Sequence, residues 1–183
     1  KLDKTCVYYH GLGGGPSGTM DYLLSLFGYQ LICEHINFEW EWQKDKGKSL
    51  MERQIKLAAK ADLIMGNSFG AHPAYIVSKH TGVDLLLISP AVNRKRSSTG
   101  IGYYKEPKIY GDAKKPRIEA FFGELDDYVP KEYAIEHFKQ NGDEFTGYVV
   151  TGMEHNAEFN HWCTMLQTSK LIGAPDPIKE VIG

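Results

Sequence analysis

Three residues of the sequence have the types and the order that nucleophilic acyl transfer requires. Ser68 comes first, Asp126 follows a later apolar run, and His155 follows the last one. A serine hydroxyl is a weak nucleophile unless a base takes its proton, and a histidine base needs a carboxylate to orient its ring. This order therefore predicts a catalytic triad, with the carboxylate and the imidazole brought to the serine by the fold.

The segment around Ser68 has the pattern of a nucleophile elbow. Glycines lie two residues before it and two residues after it, at Gly66 and Gly70. A serine that stands out on a strained turn needs such neighbours, because side chains there would collide with the adjoining backbone. The apolar run 62–65 precedes the motif as a strand, and Pro73 suits the first turn of a helix after it.

Two members of the predicted triad have an alternative nearby. Asp127 adjoins Asp126, but the spacing to Val129-Pro130 favours Asp126. His161 follows His155, but we place it on the last helix and not directly after the last strand. The spacing of these histidines matches no metal-binding pattern such as His-Glu-x-x-His, so the sequence predicts no metal site.

A cluster of glycines follows the first predicted strand, and three interpretations of it are open. Gly13, Gly15 and Gly18 match the dinucleotide-binding pattern G-x-G-x-x-G, with Glu39 near the distance of a ribose-binding acid. A His-Gly step after a strand is also typical of a loop that aims a backbone N–H at an oxyanion. The third interpretation is a glycine-rich turn without a ligand. The elbow further along the chain favours the oxyanion loop.

Alternating apolar and amphipathic segments predict βα units around a mostly parallel sheet. The strands are predicted over 5–9, 30–36, 62–65, 83–88, 117–122 and 145–150. Helices are predicted from about residue 19, from a capping box that starts at Ser49, over 75–80 and 132–140, and over 156–170. Glycines at 82 and 142 are predicted to end the third and fourth of these helices.

Composition excludes several classes of protein. The 183 residues carry 21 basic and 23 acidic side chains, and 42% of them are hydrophobic. Such a chain is neither disordered nor a polybasic nucleic-acid-binding module, and no apolar run reaches the roughly 18 residues of a membrane span. We expect one domain over 1–183. The first residues hold no signal-like apolar region and the three cysteines are scattered, so we expect a cytoplasmic location.

The segment 93–116 departs from this pattern. It holds seven basic and two acidic residues, a local charge of +5, with three tyrosines among them. We interpret it as an excursion from the sheet. It could select an anionic substrate or an acidic partner, or it could be a solvated loop.

The motifs together resemble those of the α/β-hydrolases. The resemblance rests on the loop His10-Gly11-Leu12-Gly13-Gly14, the elbow at 66–70, the run Gly-x-x-Asp-x-x-Val-Pro at 123–130 and the final Gly-x-x-His at 152–155. Among the α/β-hydrolases the chain is similar to small, nearly capless serine esterases. It departs from larger relatives in lacking an antiparallel strand pair before the first strand and in having only 93–116 where they carry a cap.

The resemblance implies a three-layer α/β/α sandwich and roles for individual residues. Ser68 would be the nucleophile, His155 the general base and acid, and Asp126 its orienter. The backbone N–H groups of Leu12 and Phe69 would form the oxyanion hole. The implied reaction is hydrolysis of a small-molecule ester or thioester without a cofactor. The alternatives are a dinucleotide-binding oxidoreductase and a catalytically silent interaction protein.

The candidates for the substrate pocket are His10, Trp40, Trp42, Tyr128 and Phe159. The aromatic stretch 38–42 leaves the carboxyl end of the second predicted strand, where open α/β sheets bind ligands. It could form a wall of the pocket, or it could be a loop that folds its tryptophans onto the core. For His10 the sequence favours a role in shaping the oxyanion loop over proton transfer.

Overall fold

Six strands form one sheet in which every neighbouring pair is parallel. The computed structural model of the chain describes residues 2–93, 99–106 and 114–173. Along the sheet the strands lie in the order β2-β1-β3-β4-β5-β6. Their bounds are β1 Lys4–Tyr9, β2 Tyr29–Ile32, β3 Leu63–Asn67, β4 Leu85–Ile88, β5 Ile118–Gly123 and β6 Phe145–Val150.

In the described residues, six α-helices connect or follow these strands. They are α1 Gly18–Ser25, α2 Phe38–Asp45, α3 Lys48–Ala58, α4 Ala71–Thr81, α5 Lys131–Gln140 and α6 Phe159–Thr168, and a short 3-10 turn covers Ser68–Gly70. Side chains cap three of the described helices: Ser17 accepts from the N–H of Met20, Asn37 accepts from that of Trp40, and Glu158 and His161 form a capping box at the start of α6. Within the described residues, no helix is long and apolar enough to cross a membrane.

The helices cover both faces of the sheet. Alternate residues of β1 divide between two cores: Val7 and Tyr9 pack with residues of α2 to α5, whereas Cys6 and Tyr8 pack with residues of α1 and α6. A strand buried on both faces is apolar at consecutive positions, as β1 and β4 are. The expected three-layer α/β/α sandwich is therefore confirmed, and its sheet is parallel throughout the described residues.

Several element boundaries differ from the prediction. The second strand ends at Ile32 and not at residue 36, and the aromatic stretch after it forms helix α2 instead of a loop. The prediction of a capping box that starts at Ser49 is wrong. Helix α3 begins at Lys48 after Gly47, which has the left-handed φ of 77° that glycine tolerates, and the Ser49 hydroxyl and N–H both donate to Asp45 at the end of α2.

The ends of α4 and α5 lie at or next to their predicted positions. Gly82, with a φ of 73°, caps α4 as predicted, whereas Asn141 and not Gly142 follows the last residue of α5. The last helix is shorter than the predicted 156–170, because the loop that carries His155 continues to Glu158 before α6 begins.

Part of the basic segment packs into the core. Tyr104 is 1% exposed, and its hydroxyl donates to the carbonyl of Phe38 at 2.8 Å. The N–H of Tyr104 donates to His72 Nε2 at 3.0 Å, and its ring lies over Gly47, where an added Cβ would come within 2.6 Å of it. Ile101 and Tyr104 are buried whereas the residues at 99, 100, 105 and 106 are exposed, so this stretch is not a wholly solvated loop. Positions 94–98 and 107–113 lie outside the described residues.

Replacing Gly70 by alanine should destabilise the fold strongly. A Cβ there would lie 2.2 Å from the carbonyl oxygen of Tyr9 and 2.3 Å from that of His10, and backbone cannot yield as a flexible side chain can. We expect Gly70→Ala to lower the free energy of unfolding by about 3 kcal/mol or more. Urea titration followed by circular dichroism measures this change.

Gly18→Ala is the matched control. Gly18 opens α1, and nothing lies within 4 Å of a Cβ added there. We expect its stability to stay within about 1 kcal/mol of the unchanged protein. Equal stability of the two variants would show that the turn after β3 accommodates a Cβ at position 70, which would contradict the structure.

Candidate active site

The site lies where the chain reverses direction across the sheet. From β1 the chain moves to the edge strand β2, and β3 then returns to the other side of β1. In open α/β sheets this switch point leaves a crevice at the carboxyl ends of the strands. The glycine loop follows β1 and Ser68 follows β3, so both enter the crevice from neighbouring strands. Asp126 and His155 reach the same edge from β5 and β6.

Ser68 sits on a tight, strained turn. Its φ of 53° is left-handed, a conformation that costs a residue with a Cβ about 1–2 kcal/mol. Close packing enforces the turn: a Cβ at Gly66 would meet Ala71 and Ala74 of α4 at 2.7 Å, and one at Gly70 would strike the end of β1. The predicted need for glycines on both sides of the serine is thus confirmed.

The structure brings the three sequence-predicted triad residues together. Ser68 Oγ lies 2.7 Å from His155 Nε2, and His155 Nδ1 lies 2.9 Å from Asp126 Oδ2. The Asp126 side chain is 4% exposed, and its other oxygen accepts the backbone N–H groups of Tyr128 and Val129. Of the two neighbouring aspartates, Asp126 and not the exposed Asp127 is in contact with the imidazole.

Backbone contacts clamp the loops that carry Asp126 and His155. The N–H of Glu124 donates to the carbonyl of Val150 at 3.1 Å, and that of Leu125 donates to Met153 at 3.0 Å. The Glu124 carboxylate in turn accepts the N–H of Gly152 at 2.8 Å. Sequence reasoning missed this clamp, for which glycines at 123 and 152 were the only readable signals. It fixes the separation of the carboxylate and the imidazole before any ligand binds.

The glycine loop is a turn whose first peptide, between Gly11 and Leu12, has a fixed direction. The carbonyl of Gly11 accepts the N–H of Gly14 at 3.1 Å and the Nδ1–H of His10 at 2.7 Å. Gly13 has a φ of 69°, which glycine adopts without strain. In a planar trans peptide the N–H points opposite to the carbonyl. With the Gly11 carbonyl held by two donors, the N–H of Leu12 is turned the other way.

His10 is a buried and neutral histidine. Its Nε2 accepts the N–H of Ile36 at 2.9 Å while its Nδ1–H donates to Gly11, and this pair of roles requires the uncharged ring. The side chain is 2% exposed, and burial is the main cause that lowers its pKa below the usual value, helped by the neighbouring His35. His10 thereby joins the glycine loop to the segment that follows β2.

A cavity of about 580 Å³ opens beside Ser68. Of the predicted site residues, it is lined by Ser68, His155, Leu12, Phe69 and Tyr128. Residues that the sequence did not single out complete its described lining: Gly11, Gly14, Asn67, Pro90, Ala91, Asn93, Thr99, Val129, Tyr133 and Asn156. Pro90 and Ala91 could have been found from the sequence, because they follow the carboxyl end of strand β4 at the same edge of the sheet.

The other pocket candidates lie away from the cavity lining. Helix α2 turns Trp42 onto Tyr104 and places Trp40 on the surface, 54% exposed and under the Lys44 ammonium. Phe159 is 57% exposed at the start of α6. His10 is also outside the cavity lining. It hydrogen-bonds to Gly11 of the glycine loop, the segment that the sequence predicted it to shape.

The described cavity lining holds no lysine, arginine, aspartate or glutamate. Seven basic residues of the segment 93–116 motivated an anionic substrate. Those at 94–96 and 108 lie outside the described residues, and Lys105, Lys114 and Lys115 do not belong to the cavity lining. Within the described parts of the chain, no group of three or more histidine, cysteine, aspartate or glutamate side chains is placed to hold a metal ion. Apart from His155, the polar side chains of the described lining are amides and hydroxyls.

Many solved structures match the architecture of this chain, whereas comparison of its sequence with family models and with curated proteins finds no match. A protein assigned to the α/β-hydrolase superfamily from Xanthomonas campestris pv. campestris aligns with a TM-score of 0.62 at 14% identity, over 92% of this chain and 96% of that one. An α/β-hydrolase enzyme from a sediment metagenome of the Mar Chica lagoon aligns at 0.61 and 20% identity, over 90% and 87%.

A third similar structure is an S-formylglutathione hydrolase from Agrobacterium tumefaciens, with a TM-score of 0.59 and 14% identity, over 90% of this chain and 80% of that one. At such identities the likeness concerns the fold. The chain has the α/β-hydrolase fold, as its motifs led us to expect.

Replacing His10 by phenylalanine should destabilise the protein and weaken its response to acid. The variant leaves the buried N–H of Ile36 and one bond to Gly11 unmade, which costs about 1–3 kcal/mol. Because the pKa of His10 is lower in the folded state than in the unfolded chain, its contribution to stability is present above about pH 6.5 and declines as the pH falls further. His10→Phe removes that decline.

Urea titrations at about pH 7.5 and about pH 5.5 test both effects. His35→Phe is the control, because His35 is exposed and only stacks on His10, with ring centroids 5.5 Å apart. We expect this control to retain the acid response of the unchanged protein. An equal loss of stability on acidification in His10→Phe would contradict the assignment of a buried neutral ring.

Proposed function

We propose that the protein is a serine hydrolase that cleaves a carboxylic ester or thioester through an acyl intermediate on Ser68. The observation that carries the proposal is the 2.7 Å contact between Ser68 Oγ and His155 Nε2, on a strained elbow beside a cavity. A hydroxyl in that position can lose its proton to the imidazole as it attacks a carbonyl.

In the first step Ser68 Oγ attacks the carbonyl carbon of the substrate. His155 Nε2 takes the hydroxyl proton, and a tetrahedral oxyanion forms. The bond from carbon to the leaving oxygen or sulfur then breaks, and His155 gives its proton to the leaving group. Asp126 holds the Nδ1–H and stabilises the imidazolium that exists between these transfers.

In the second step water hydrolyses the acyl-enzyme. His155 takes a proton from the water as it attacks the acyl carbon. The same proton returns to Ser68 Oγ when the acyl bond breaks and the acid leaves. Both steps use one imidazole, which the Asp126 contact keeps in the required tautomer.

The backbone N–H groups of Leu12 and Phe69 are our candidates for the oxyanion hole. Phe69 follows Ser68 directly, and Gly11 lies beside Ser68, since a Cβ on it would be 3.9 Å from Ser68 Oγ. The bonds that hold the Gly11 carbonyl turn the N–H of Leu12 the other way. A single such donor contributes about 2.7–4 kcal/mol to transition-state stabilisation.

The same contacts favour a hydrolase over a dinucleotide-binding oxidoreductase. The glycine loop uses its first turn to approach Ser68, and Glu39 lies exposed on α2, where its carboxylate accepts from Gln43. A catalytically silent interaction protein would gain nothing from the strained φ of Ser68 or from a carboxylate held against His155.

We further propose a single hydrolase domain and a cytoplasmic location. The two described cores flank one sheet, which supports one domain. All three cysteines are free, and thiols persist in a reducing compartment.

A fluorophosphonate probe should label Ser68. The probe phosphonylates a serine only where a base activates it, so folded protein should gain the mass of one phosphonyl group. Peptide mass spectrometry should map it to Ser68, and Ser68→Ala and heat-denatured protein should stay unlabelled. Folded protein whose mass is unchanged by the probe would contradict the proposal.

Asp126→Asn should lower kcat for a simple ester by about three to four orders of magnitude. An amide in that place still accepts the N–H groups of Tyr128 and Val129, but it favours the wrong tautomer of His155. Asp127→Asn is the matched control and should keep kcat within about twofold, because this side chain is exposed. Ester turnover rates of the purified variants decide the assignment, and comparable rates would refute it.

A further inference from the structure

Tyr128 has an unusual place beside the site. Its ring is 72% exposed, the highest value among the large exposed hydrophobic residues, yet it lines the cavity. The ring centroid lies 4.9 Å from that of His155, with an angle of 51° between the planes. Burial of this ring therefore contributes little to folding, and most of its surface is available to a ligand.

The backbone holds Tyr128 where it is. Its N–H donates to Asp126 Oδ1 at 3.1 Å, and the N–H of Val129 donates to the same oxygen at 2.9 Å. The carboxylate that orients His155 therefore also fixes the backbone that presents the tyrosine. The ring and the imidazole form one unit with a shared anchor.

From this geometry, and on the basis of the proposed function, we infer that Tyr128 binds the leaving group and selects esters whose leaving group carries a flat aromatic ring. His155 Nε2 must deliver its proton to the leaving oxygen, so the leaving group lies against the imidazole when its bond breaks. Because the centroids of the Tyr128 ring and the imidazole are 4.9 Å apart, a ring joined to that oxygen can reach the 4.5–7 Å from Tyr128 that aromatic pairs use between centroids.

The chemistry of the described lining agrees with an uncharged leaving group. Asn156 lies next to His155, and no charged side chain faces the cavity from the described residues. Tyr128 is the aromatic residue of this lining whose ring contacts the imidazole, so it offers its face to a group that His155 protonates.

The inference separates the two chemical steps. In acylation the leaving group is present, so loss of the Tyr128 ring weakens binding of an aromatic leaving group in the transition state. In deacylation the leaving group has already departed and water takes its place. A residue that acted only by positioning His155 would affect both steps, because the imidazole transfers protons in both.

Phenyl acetate and trifluoroethyl acetate supply the test, since both give the same acetyl-Ser68. Tyr128→Leu should lower kcat/KM for the phenyl ester roughly two- to tenfold more than for the trifluoroethyl ester. Tyr128→Phe should preserve the preference. The rate at which acetyl-enzyme breaks down, measured after the burst of product, should not change in either variant.

Tyr22→Leu is the matched control, because Tyr22 is 60% exposed on α1 and lies outside the cavity lining. It should leave both esters unaffected. Equal losses for the two esters in Tyr128→Leu, or slower breakdown of acetyl-enzyme, would overturn the inference and leave Tyr128 a support for His155. An unchanged preference would overturn it as well. If the unaltered protein forms no acetyl-enzyme from either ester, the proposed function itself fails.

Discussion

The close approach of the turn after β3 to the end of β1 is the constraint on which the site depends. At Gly70 the two backbones are so near that a single carbon atom would come within 2.2 Å of a carbonyl oxygen. This contact fixes Ser68 against the glycine loop, since the same strand end continues into His10 and Gly11. The proposed nucleophile and the candidate oxyanion loop come from different βα units, and this packing holds them in register together with the pairing of β1 and β3.

The other half of the site adds polar contacts to close packing. Asp126 and His155 stand on loops that follow the neighbouring strands β5 and β6. Hydrogen bonds join the two loops, with the Glu124 carboxylate closing the turn at Gly152. The backbones also approach closely there, since a Cβ added at Gly123 would lie 2.4 Å from the carbonyl oxygen of Met153. Both halves of the site are thus positioned by close backbone packing, and the second half is held by hydrogen bonds between its loops as well.

Sequence reasoning succeeded where the constraint is local. The glycines around Ser68 and the order of the triad residues follow from the geometry of one turn and from strand order, and both are visible in the chain. Helix α2 was missed because Phe38, Trp40 and Trp42 alternate with acidic residues at a period of two, although Asn37 is a readable cap. The burial of Tyr104 could not be predicted, since its partners Phe38 and His72 lie 66 and 32 residues away.

That burial bears on specificity. Residues 99–106 follow β4 at the same edge of the sheet as the cavity, yet Tyr104 and its neighbours complete the core beside α2 and α4. Thr99 is the one residue of this described stretch that lines the cavity. Among the lining residues, Leu12 and Tyr128 are the large exposed hydrophobic ones, at 45% and 72%. In the hydrolase that we propose, substrate recognition therefore falls largely to short loops that also carry residues of the proposed triad and oxyanion hole.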